Sequence, residues 1–326
     1  MLKSLQIVSI ILLCLTVTNA WSQSNKRFKG KKGTSKREIK KRQQEAYDKD
    51  DTNAFNPKQP MGARQNDSRD DLLWHGETAN TIYDGTANIS LVNASRYGLK
   101  PGLELSSVLL LNYWMPNVYL KKRWRNDTWY VASKHGLYSA TPGLHWFNNK
   151  NYSSVVDNAS QIPFILSMKN ELMVSRFIMS DTRCGRDKPY IILTGGLGVD
   201  FGVPFGDSDL SEMKGHFLAN RSPALTGSGY SAYLKLRADW QMTPMLMLGG
   251  GFKYFRGNFS GNGALEHQAE LQTLIIPSLS FTIGYALSFA NYVDTNSMAI
   301  LPFFDITYYF GKRQGRQKGL FGNKMF

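Results

Sequence analysis

The stretch that decides the fold is Tyr230–Met242, YSAYLKLRADWQM. Tyr230, Ala232, Leu234, Leu236, Ala238, Trp240 and Met242 fall on one side of an extended chain. Ser231, Tyr233, Lys235, Arg237, Asp239 and Gln241 fall on the other. Successive strand side chains point to opposite faces, so this alternation predicts a β-strand with one apolar and one polar face. The stretch is also about twice the usual strand length of a soluble protein.

Working outward, the same pattern recurs on both sides. In 278–288, Leu279, Phe281, Ile283, Tyr285 and Leu287 alternate with small and polar residues. In 191–203, Ile191, Leu193, Leu197, Val199, Phe201 and Val203 share a face, opposite Thr194, Gly196, Gly198, Asp200 and Gly202. Near the end, Pro302, Phe304, Ile306, Tyr308 and Phe310 alternate with Phe303, Asp305, Thr307 and Tyr309. After the leader, no segment reaches eighteen consecutive apolar residues, which excludes helical membrane spans.

Long alternating strands suit either a soluble sandwich or barrel with its apolar face inward, or a transmembrane barrel with that face turned to lipid. Strand length favours the membrane, since about 9–11 tilted residues cross a bilayer. Aromatics also gather at strand ends (Tyr113, Trp114, Trp124, Trp129, Tyr130, Trp240, Tyr308, Tyr309), where interfacial girdles lie. The polar faces mix both signs of charge with Gly and Ser, as a packed or wet lumen would.

The predicted fold is all-β, a transmembrane antiparallel barrel of twelve strands, with ten as the alternative. An even count puts both chain ends on one side, with short turns there and longer loops opposite. The gaps 139–163 and 204–227 should be the outer loops. Tight turns are expected at Gly98–Gly102, Arg125–Asp127 and Gln241–Pro244. This arrangement requires a first strand near 73–82 and a break near Pro277, because 264–288 is too long for one crossing.

The ends read differently. Residues 1–22 have the parts of a secretory signal peptide: Lys3, the apolar run Ile7–Val17, and the small residues Ala20 and Ser22 before Gln23. Residues 23–71 read as a basic, mostly disordered periplasmic extension, poor in large apolar groups. The barrel is assigned to 72–310 and a basic C-terminal tail to 311–326. The chain's net charge of +14 sits at these ends, with ten basic residues and one acid between Lys26 and Arg42 and five unopposed basic residues after Phe310. In an exported protein such tails point to anionic lipid, cell-wall polymer or a periplasmic protein, and not to nucleic acid.

Candidate chemistry is sparse. Two cysteines, Cys14 in the leader and Cys184, exclude a disulfide scaffold and a cysteine zinc site. The five histidines show no metal-ligand spacing. His135 near Ser133 and Ser139, and His216 near Ser208 and Ser211, lack the spacing of a His–Ser catalytic pair, and each reads as a polar loop residue. No catalytic, cofactor-binding or metal-binding residue is assigned, and no cofactor is expected. The strand charges are more informative: Glu104, Lys169, Glu171, Lys235, Arg237, Asp239, Lys253 and Asp305 all point inward or nearly so. Charge on the lipid face would cost a few kcal/mol at the midplane, so these eight should form a lumenal charge network. The glycines at Gly195–Gly196, Gly198 and Gly249–Gly251 lie within strands, where bends or close packing explain them.

With its leader ending before Gln23, its long alternating strands and an aromatic strand end at Phe310, the chain resembles outer-membrane β-barrels of Gram-negative bacteria. Its basic extension and Tyr/Asn/Gly-rich strands are similar to uncharacterised barrels of the Bacteroidota. The resemblance spans 72–310 and implies an outer-membrane, porin-like envelope protein. Such barrels usually end at the last strand's aromatic, whereas sixteen residues follow Phe310. The expected function is a non-enzymatic structural or accessory envelope component. The alternatives are a narrow channel or transporter for small polar solutes, or a lipid-modifying barrel enzyme.

Overall fold

A computed structural model describes residues 74–311, apart from short stretches at 83–84, 127–128, 153–158, 160, 180–189, 216, 218–221, 244, 260–262, 277 and 293–294. The expected signal peptide and basic extension, the residues beyond 311 and His216 lie outside the described residues.

Twelve strands form one closed antiparallel barrel in sequence order, β1 pairing with both β2 and β12. They are β1 (Thr86–Ser90), β2 (Ser95–Lys100), β3 (Leu103–Ser107), β4 (Asn117–Asn126), β5 (Trp129–Tyr138) and β6 (Phe164–Met179). β7 (Tyr190–Phe205), β8 (Tyr230–Thr243), β9 (Leu246–Gly257), β10 (Ala264–Ile276), β11 (Leu279–Tyr292) and β12 (Thr295–Gly311) complete the wall. A 3-10 helix at Leu109–Tyr113, helix α1 (Thr141–Asn149) and the single turn α2 (Pro223–Thr226) lie in the connections. Closure leaves no unpaired sheet edge, which a strand structure in hydrocarbon requires.

The alternation orients every wall strand. On β8, Leu234, Leu236 and Trp240 are 48%, 59% and 41% exposed, whereas Lys235, Arg237 and Asp239 are 1%, 4% and 0%. The outer wall is apolar and the lumen polar, the reverse of a water-soluble barrel. Among the described residues no helix is long and apolar enough to cross a membrane.

The break between β10 and β11 falls where the length of 264–288 demands one, and the connections after β5 and β7 share one end of the barrel. The strand count is twelve, but one expectation fails. Residues 74–82 form no strand; they run as turns and irregular chain. The twelfth strand comes instead from 86–100, which divides into β1 and β2 around residues 91–94. A single carboxylate on β12 explains the division. Asp305 accepts hydrogen bonds from Ser90 Oγ at 2.7 Å, Val92 N at 2.8 Å and Asn93 Nδ2 at 3.0 Å, pinning the tight turn from across the seam.

Two lumen-facing glycines show why the strands carry them. A Cβ on Gly136 would lie 2.1 Å from the Tyr119 ring, and one on Gly198 would lie 2.1 Å from the Tyr233 ring. Each glycine sits directly opposite its tyrosine on the neighbouring strand, so the ring lies flat across bare backbone.

Candidate functional site

The missing strand is inside the barrel. Residues 74–82 occupy the lumen, and their backbone groups bond to side chains projecting from the wall. Lys121 on β4 is fully buried, and its Nζ lies 3.0, 3.3 and 2.9 Å from the carbonyl oxygens of Gly76, Thr78 and Asn80. Glu104 on β3 lies 3.2 Å from the same ammonium and accepts the Ile82 N–H at 2.7 Å. Arg96 on β2 donates to the Trp74 carbonyl at 3.1 Å, and Ser175 on β6 accepts the Ala79 N–H at 2.9 Å. Arg123 reaches the Asn80 side chain. Buried peptide groups need such partners, and here long side chains supply what a sheet ladder would otherwise give.

Glu77 is the charged centre of the segment. Lys253 on β9 lies 2.9 Å from its carboxylate, and Lys235 on β8 lies 3.3 Å from it and donates to its backbone oxygen at 3.0 Å. Lys235 is also paired with Glu171 on β6. Burial works against a charge on Glu77, but Lys235, Lys253 and Lys134 together hold its carboxyl well below the ordinary carboxylate range.

A second cluster lies beside it. Arg237 is bidentate to Asp239, with Nη2 2.7 Å from Oδ1 and Nε 3.1 Å from Oδ2, and it also binds Glu270 on β10. His75 Nε2 completes the group 3.0 Å from Glu270. His75, Asp239 and Glu270 place their donor atoms within 4.8 Å of one another, the spacing of a metal site. The Arg237 guanidinium already bridges the two carboxylates, so the cation they share is an arginine. At one end of the inserted segment Trp74 packs on Tyr130, ring centroids 4.7 Å apart, within a buried group that includes Met173, Phe177, Tyr190 and Ile192.

The segment does not fill the whole section. A polar cavity of about 90 Å³ remains toward the β1–β3 and β10–β12 wall, lined by Asn88, Arg96, Gln272, Thr282, Thr307 and Tyr309 among others. That is room for a few waters.

The opposite end is stopped by different chemistry. α2 is buried, and its Ala224 carbonyl accepts a 2.6 Å hydrogen bond from Ser167 on β6. Ala224 and Leu225 pack with Tyr138, Ala140, Ile165 and, from α1, Leu144. Gly202 makes the fit possible, since a Cβ there would sit 2.2 Å from the Ala224 oxygen.

The eight charges read from sequence therefore occupy separate places. Lys235, Glu171 and Lys253 meet around Glu77, and Arg237 pairs with Asp239. Glu104 pairs with Lys121, and Asp305 holds the β1–β2 turn. Lys169 sits 5.1 Å over the Tyr233 ring. Sequence reasoning missed Glu77, His75, Arg96, Lys121 and Glu270. Glu270 carries a usable signal, because Glu266, Gln268, Glu270 and Gln272 alternate on one face of β10. His135 lies on the outer wall, its ring Nδ1 2.8 Å from Asn170 Oδ1, so its partner is an amide rather than a serine.

No protein-family model matches the chain, and no curated protein matches it. Among solved structures, it is similar to a KdgM porin in complex with disordered oligogalacturonate, with a TM-score of 0.28 and 9% identity over 69% of this chain and 94% of that one. A second similar structure comes from "Unveiling the Mechanism Behind the in-meso Crystallization of Membrane Proteins", with a TM-score of 0.29 and 10% identity over 73% of this chain and 88% of that one. Likeness this weak leaves the function to be read from the barrel itself.

Proposed function

We propose that this protein is a plugged outer-membrane β-barrel, a non-enzymatic structural or accessory component of the envelope that does not conduct at rest. The observation that carries the reading is the seating of residues 74–82 in the lumen, tied to β2, β3, β4, β6, β8, β9 and β10 by charged and polar side chains. In this reading the short-turn end faces the periplasm and the α1 and α2 connections face outward. Residues 1–22 direct export, and the basic segments 23–71 and 311–326 engage cell-wall polymer or a periplasmic protein. Planar-bilayer recording tests it. The wild-type barrel should be silent, and a chain lacking both 74–82 and the α2 turn but still membrane-inserted should show open-pore current. Steady wild-type conductance would overturn the reading.

One observation favours a second function, a narrow path for small polar solutes: the polar cavity of about 90 Å³ left beside the inserted segment. Solute uptake by vesicles bearing the wild-type barrel, without bulk ionic current, would support it over the first.

A further inference from the structure

The outer wall carries a groove that the lumen does not explain. Its volume is about 890 Å³, and it crosses β5 to β10. The pairing register shows how it forms. Trp129, Arg176, Leu193, Ala238, Gly250 and Ala269 stand in one row, each opposite the next on the neighbouring strand. Alternation turns this row outward together with the exposed Leu236 and Trp240. Ala238, Gly250 and Ala269 leave the floor low. The row on one side stands high with Leu236 and Phe252, and the row on the other with Trp240 and Leu248. Two inter-strand steps at about 4.8 Å give a low floor of about 10 Å, and Leu193 stands between it and Arg176, two further steps along the row.

One end of the trough is cationic. Arg176 lies over the Trp129 ring, its guanidinium carbon 5.2 Å from the centroid, and has no carboxylate partner among the described residues. Trp129 and Arg176 stand near the short-turn end of β5 and β6, where an aromatic at the membrane–water interface is expected. A zwitterionic headgroup would bring its own cation to this place, whereas a net-negative one answers the unopposed arginine.

We infer that this groove binds one anionic phospholipid, with an acyl chain along Ala238–Gly250–Ala269 and the headgroup phosphate against Arg176. The inference rests on the barrel being membrane-inserted, and the experiment separates the two. Detergent-purified barrel is titrated with dioleoylphosphatidylglycerol or dioleoylphosphatidylethanolamine and followed by native mass spectrometry, with heat-modifiable gel mobility as the check on barrel folding. The wild type should retain one phosphatidylglycerol with a preference of about fivefold, the effect of one basic side chain facing anionic lipid. Arg176→Gln should abolish the preference while still retaining lipid. Ala238→Leu, which fills the floor, should reduce retention of both lipids with heat-modifiability unchanged. Equal retention of the two lipids by the wild type, or an unchanged preference in Arg176→Gln, overturns the inference alone. A wild-type protein recovered without detergent overturns the membrane reading and this one with it.

Discussion

The two ends of the lumen are closed by opposite means. At one, residues 74–82 are held by Lys121, Lys235, Lys253 and Arg96 bonding to backbone carbonyls and a carboxylate. At the other, α2 is held by apolar packing of Ala224 and Leu225 against Ile165, Leu144 and Tyr138. The difference concerns what can undo each stopper. Apolar burial is non-directional and tolerates small shifts, so α2 should loosen gradually. A charged anchor keeps its strength only while every partner is present, and removing one strands the others in a low-dielectric interior. The polar stopper is therefore built to be either seated or released.

The largest effect expected is at Lys121. Lys121→Met removes the donor shared by three carbonyls and leaves Glu104 with the Ile82 N–H and the more distant guanidinium of Arg96, 3.8 Å away. Breaking a buried pair in this way costs about 3–5 kcal/mol. Hydrogen exchange at 74–82 should rise strongly, while exchange in α2 stays unchanged. Equal loosening of both stoppers would break the comparison.

Leu225→Ala probes the other end. Truncating a buried leucine costs about 3 kcal/mol through lost transfer energy and the cavity left behind. Exchange should rise in 222–228 and α1, with 74–82 still protected. Glu77→Gln is smaller, about 2 kcal/mol, because Lys235 keeps Glu171 while Lys253 loses its carboxylate. It should raise exchange at 74–82 by less than Lys121→Met does.

The smallest effect is on pH. The Glu77 carboxyl is held below its ordinary value, so its contribution is complete above the unfolded carboxylate pKa and disappears only as pH falls through the lowered, folded one. Protection of 74–82 should therefore persist through mildly acidic pH and fail only under strongly acidic conditions. Release in mild acid would mean that another group sets the anchor.

Much of this was legible in the sequence, and the illegible part has a physical reason. β8 announces itself because Lys235, Arg237 and Asp239 alternate with Leu234, Leu236 and Ala238, a local signal needing no knowledge of partners. The lumenal position of Glu104 or Asp305 follows from the same parity. The inserted segment gives no such sign. Its polar backbone is satisfied by side chains far away in sequence, so nothing local separates it from the strand expected at 73–82. Lys121 is hidden in the run Lys121–Lys122–Arg123, where neighbouring cations take opposite faces and blur the period. The trough on the outer wall is illegible for a related reason. Ala238, Gly250 and Ala269 look unremarkable one by one, and only the pairing register puts them in line.

The seam where the wall closes has a consequence for assembly. β1 meets β12 only from Thr86↔Gly311 to Ser90↔Thr307, and meets β2 at Ala87↔Tyr97 and Asn88↔Arg96, whereas β11 and β12 run paired from Leu279↔Tyr308 to Tyr292↔Thr295. Joining first strand to last closes the longest loop in the domain for a ladder of only five pairs, so it should be the slowest step in the barrel's biogenesis. Asp305 makes that step self-checking. It is carried by the last strand to be synthesised, and the Val92 amide, Ser90 and Asn93 that it binds belong to the first hairpin. A cylinder zipped one register out would leave that carboxylate facing the wrong backbone, and the mistake would be unstable enough to reopen.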